Sequence, residues 1–110
     1  MTKTEITNVL IGMLSTYCKY RAEMLYWVAQ ENCPIDEKMR ERASRYVKEL
    51  YNDLLQEIHE VRDAFYYKYE DTDDEEIAYS IDFEKVVKEV DKKASAVAET
   101  MRQANGIFIK

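Results

Sequence analysis

Apolar residues in the first third of the chain fall at Ile6, Leu10, Met13, Tyr17, Tyr20, Met24 and Trp27, alternating steps of four and three. That spacing is the seam of an amphipathic helix. Val9, Leu14, Cys18, Leu25 and Val28 widen it to an arc of about 200°, more than one neighbouring helix can cover. Thr2 offers an N-cap hydroxyl, and Glu5 stands where it can reach back, so the helix is expected over about residues 4–31. It should stop before Pro34, because the residue preceding a proline is pushed out of helical geometry. Gly12 falls on the polar side, where it lowers helix propensity with no packing reason.

A second pattern runs through Met39, Ala43, Tyr46, Leu50, Leu54, Ile58, Val61 and Phe65, with no glycine or proline inside it. Pro34 suits a first helical position, and Asp36 and Glu37 meet the positive end of the dipole. The prediction is one long helix over about residues 35–70, a rod of roughly 50 Å. The third pattern, Phe83, Val86, Val87, Val90, Ala94, Val97, Met101 and Ala104, makes a stripe of about 120° and predicts a helix over about residues 81–104. Asn105 and Gly106 form a stop signal. Residues 106–110 then give an apolar tail, Ile107, Phe108 and Ile109, of the kind that docks rather than hangs free.

Together these segments predict an all-α chain with one domain over residues 1–110: an antiparallel three-helix bundle with one long central helix. Helix one has nearly twice the apolar arc a bundle needs, and Phe65, Tyr66, Tyr67 and Tyr69 point in several directions. That surplus predicts association through helix faces into a homodimer or higher oligomer.

Composition sharpens this. The chain has 110 residues, two glycines and one proline, too few turn formers for an all-β fold. Its formal net charge is −6. Residues 71–80 form an acidic connector, and Asp71, Asp73, Asp74, Glu75, Glu76 and Asp82 have no base among them. Like-charge repulsion makes this connector a poor candidate for packed structure beyond a short turn. It is the expected contact with a protein partner of basic surface, through Asp71, Asp73, Asp74, Glu75 and Glu76. Direct nucleic-acid binding is not expected, because Glu41 and Glu49 dilute the bases Lys38, Arg42, Arg45 and Lys48. No stretch approaches the ~20 apolar residues of a membrane span, and nothing resembles a signal peptide. Cys18 and Cys33 are read as reduced thiols of a cytoplasmic protein.

Two charges sit where packing would not place them. Glu57 falls in the apolar stripe of the second helix, on one face with Asp53 and Glu60. It is an edge residue, half of a buried ion pair, or a ligand of a hard cation. Arg21 lies on the apolar arc of the first helix, where it either snorkels, pairs with a carboxylate, or holds an anion. If the chain folds back near Cys33, Arg21 is level with about Tyr46, and Glu57 lies roughly 16 Å further along. His59, the single histidine, faces away from the stripe.

The run Leu54-Leu55-Gln56-Glu57-Ile58-His59-Glu60-Val61-Arg62-Asp63-Ala64 resembles the first motif of the all-α, MazG-like nucleotide pyrophosphohydrolases. Those proteins pair an E-x-x-E helix with a later E-x-x-D helix to hold Mg²⁺ against a nucleoside triphosphate, and they dimerise through helices. The resemblance implies Glu57 and Glu60 as metal ligands, with Asp53 beside them and Asp91 from the last helix. At the second motif, Lys88 stands where the family has an acid. The leading expectation is a non-enzymatic interaction module with no cofactor, one that binds and inhibits or regulates another macromolecule, in the manner of viral inhibitors. A divergent Mg-dependent pyrophosphohydrolase is the alternative.

Overall fold

The Thr2 hydroxyl accepts the Glu5 amide at 3.1 Å, and the Glu5 carboxylate accepts the Thr2 amide at 3.0 Å. This reciprocal capping box starts helix α1, Lys3–Met13. In the computed structural model, which describes residues 1–31 and 36–104, four further helices follow. They are α2 (Ser15–Glu31), α3 (Glu37–Tyr69), α4 (Glu75–Ser80) and α5 (Phe83–Ala104). The protein is all-α, with no strand among the described residues. No helix there is long and apolar enough to cross a membrane. Pro34, Cys33 and the tail at 106–110 lie outside the described residues, as does the Asn105-Gly106 stop.

Three features depart from the sequence pattern. The first helix is not continuous: Leu14, at φ −86° and ψ 9°, separates α1 from α2. Its amide still reaches the Leu10 and Ile11 carbonyls, and the Cys18 amide donates to the Leu14 carbonyl at 2.8 Å, so the break is a kink. It falls between Gly12 and Ser15, residue types that favour helix bends. α3 begins at Glu37 rather than near Pro34, because Asp36 is the cap: its extended backbone lets its carboxylate accept the Lys38 amide at 3.0 Å.

The third departure is the connector, which is folded. Asp71 adopts φ 58°, the left-handed conformation that ends α3 and that aspartate tolerates better than most residues. The Thr72 hydroxyl donates to the Tyr69 carbonyl, Glu75 accepts the Asp71 amide at 2.7 Å, and α4 begins. Ala78 and Ile81 are buried, and Tyr79 stacks on Tyr66 with ring centroids 4.9 Å apart. Repulsion among the acids did not prevent this, because Asp71, Asp73 and Glu76 stay in water, Asp74 and Glu75 have partners, and Ala78 and Ile81 gain burial.

α1 and α2 form one bent rod, with α3 packed along one side of it and α5 along the other. α5 runs in the same direction as α2, since Asp91 lies beside Tyr17 while Val97 and Met101 lie beside Cys18 and Ala22. α3 is antiparallel to α2, with Trp27 of α2 against Tyr46 near its start. The spatial middle is therefore α2, and the long helix α3 is lateral. α3 and α5 hardly touch. Arg62, 4.9 Å above the Phe83 ring, is one cation–π contact between them. The molecule measures 56 × 23 × 16 Å, a thin layer.

Its core is lopsided. Ile6, Leu10, Leu14 and Phe65 are fully enclosed, and Tyr69, Ala78, Ile81, Phe83, Val86 and Val90 join them. All lie where α1, the end of α3, α4 and the start of α5 meet. Toward the opposite end many of the buried positions are alanines: Ala22, Ala29, Ala43, Ala94 and Ala98. Alanine lets helix backbones approach but buries little area, whereas each large side chain stabilises by about 1.5–3 kcal/mol.

Candidate interaction surfaces and the polar cluster

The half-buried polar cluster of this fold joins α2 to α5. The Tyr17 hydroxyl donates to Asp91 Oδ1 at 2.5 Å, and Arg21 Nε lies 3.6 Å from the same oxygen. Tyr17 and Arg21 are one helical turn apart, so both reach one carboxylate on the facing helix. Burial, and then the hydrogen bond to Asp91, push the Tyr17 phenol well above the ordinary tyrosine range. Arg21 Nε is shielded from water yet too far from Asp91 for a hydrogen bond, so the pair is ionic contact only. Sequence reasoning singled out Arg21 and Asp91 separately, for an anion or ion pair and for a metal. The structure puts them together, with Tyr17 as the member it missed.

Glu57 is not the partner of Arg21. The Trp27–Tyr46 contact, centroids 5.0 Å apart, sets a different register from the expected one. Counting back six residues along α2 puts Arg21 level with about residue 52, so Glu57 is roughly 8 Å further along rather than 16 Å. Glu57 is half-buried at the edge of the stripe, while Asp53 and Glu60 are exposed. Glu60 accepts a hydrogen bond from the Gln56 side chain at 3.0 Å. Among the described residues no group of three or more His, Cys, Asp or Glu side chains gathers as a metal site, so Asp53, Glu57, Glu60 and Asp91 are not brought together.

The connector's five acids divide by role. The Asp74 carboxylate lies 3.2 Å from the Met1 ammonium, and Glu75 holds the Asp71 amide. Asp71, Asp73 and Glu76 are exposed and face solvent. Nearby, the Tyr69 hydroxyl is buried without a hydrogen-bond partner. Burial, then the Asp74 charge, raise its pKa.

Large apolar side chains stand in water along α3: Met39, Tyr46, Tyr51, Leu55 and Tyr67, the last 79% exposed. Tyr79 on α4 and Val97 on α5 add to them. A groove of about 350 Å³ between α2 and α5 is floored by Cys18, Ala22, Val97 and Met101. His59 is exposed. No family model, no curated protein and no solved structure matches this chain.

Proposed function

We propose that this chain is a non-enzymatic interaction protein, one that self-associates through helix faces and binds, and so inhibits or regulates, another macromolecule. The fold is then an open three-helix bundle whose uncovered sides are completed by partners. One observation carries the reading: Met39, Tyr46, Tyr51 and Leu55 stand in water along α3, while α3 and α5 flank α2 with little contact between them. Apolar side chains of that size, set in charged surroundings, are the usual composition of a protein–protein contact.

The acidic connector is the second contact. Folded against α1 and α3, it presents Asp71, Asp73 and Glu76 on a fixed support, so little ordering entropy is lost when a basic protein surface meets them. Neither nucleic acid nor membrane is a partner in this reading, and the protein acts in the cytoplasm. The pyrophosphohydrolase alternative takes Asp91 as a metal ligand, and that carboxylate is engaged by Tyr17 and Arg21.

The test uses a Asp71→Asn, Asp73→Asn, Glu76→Gln triple variant. Capture from the native host should recover a basic partner with the parent chain, less of it as salt rises, and none with the variant. Equal recovery by both chains would remove the connector from the contact. Incubation with nucleoside triphosphates and Mg²⁺ should release no pyrophosphate, and release abolished by Glu57→Ala would reinstate the enzyme.

A further inference from the structure

α3 carries its charges in two blocks. From Glu37 to Lys48 five bases, Lys38, Arg40, Arg42, Arg45 and Lys48, outweigh two acids. From Glu49 to Asp63 five acids, Glu49, Asp53, Glu57, Glu60 and Asp63, outweigh the single base Arg62. Apart from half-buried Glu57 these side chains are exposed. Among the described residues, none of the five bases or five acids of these majorities makes an ion pair within the chain. At 100° per residue, Arg42, Arg45, Glu60 and Asp63 share one arc, opposite the buried Ala43, Leu54, Val61 and Phe65. Tyr67 lies in the same arc, and exposed Met39 and Tyr46 border it.

A rod that is positive along one half and negative along the other complements itself only when reversed. We infer that a second copy of this chain docks antiparallel along α3, about a two-fold axis near Asn52 and Asp53. This rests on the self-association proposed above and gives it a partner, a face and a direction. In that arrangement Arg42 and Arg45 of one copy face Asp63 and Glu60 of the other, and Tyr67 lies beside Lys38. The same contacts repeat across the axis, as a two-fold interface requires. Parallel docking would set base against base and acid against acid, which is costly. Exposed ion pairs alone hold little, so Met39, Tyr46 and Tyr67 supply the apolar area while the charges set direction.

Sedimentation velocity at low salt tests this with two charge-reversed chains, Arg42→Glu with Arg45→Glu, and Glu60→Lys with Asp63→Lys. The parent chain should dimerise, each reversed chain should be monomeric, and an equimolar mixture of the two should dimerise again. All four positions are exposed, so helix content by circular dichroism should match the parent. The single Arg45→Glu change should weaken the dimer at least about ten-fold, a loss of about 1.4 kcal/mol. Reversed chains that dimerise like the parent, or that fail to pair with each other, would overturn this face while leaving self-association standing. A parent chain that stays monomeric at every concentration would overturn both.

Discussion

Tyr17 and Tyr69 show how one residue type can be an asset or a cost, depending on what the hydroxyl meets. Tyr17 donates a hydrogen bond to Asp91, whereas the buried Tyr69 hydroxyl has no partner. Tyr17→Phe should therefore destabilise by about 1 kcal/mol, and Tyr69→Phe should be neutral or stabilise by up to about 1 kcal/mol, read from urea midpoints. Both phenols have folded pKa values above their unfolded ones. The unfolded chain loses those protons near pH 10 while the folded chain keeps them, so their contribution is complete below about pH 10 and falls as pH rises. Stability should drop between pH 10 and 11, and Tyr17→Phe should flatten that drop. A slope unchanged by the substitution would show that the Tyr17 phenol is not held protonated by burial and its hydrogen bond to Asp91.

Among the elements, α1 and α4 are where periodicity and structure part. The all-helical class was legible because apolar stripes at helical spacing dominate and turn formers are scarce. The capping box was legible because Thr2 and Glu5 are a local signal. The kink at Leu14 was not, since the same apolar residues would line a straight helix equally well. Nor was the folding of the connector: counting its carboxylates gives repulsion, but the burial of Ala78 and Ile81 and the Tyr66–Tyr79 stack depend on residues distant in sequence. The Arg21–Asp91 pair was hidden for the same reason, because its distance depends on the α2–α5 register. Gly12 offers a direct test of the kink. Nothing lies within 4 Å of where its Cβ would stand. Gly12→Ala should stabilise by about 0.5–1 kcal/mol through helix propensity if the bend is set by packing on either side. A destabilised variant would mean that the glycine itself permits the bend.

At the scale of the molecule, the bent rod α1–α2 shares one core with α3, α4 and α5. Large side chains hold the end where α1, α3, α4 and α5 meet, and many of the buried positions toward the other end are alanines. A layer 16 Å thick has little interior at that second end, and α3 there presents its bases and apolar side chains outward. In the proposed dimer, a second copy laid antiparallel on α3 would cover this surface and satisfy both charge blocks. The most direct measurement is the distance between spin labels on two copies, placed in turn at Asn52 and at Lys38. The antiparallel account predicts a short distance between Asn52 labels and roughly 40 Å between Lys38 labels, from 1.5 Å per residue on each side of the axis. Short distances at both positions, or no coupling between copies at either, would contradict it.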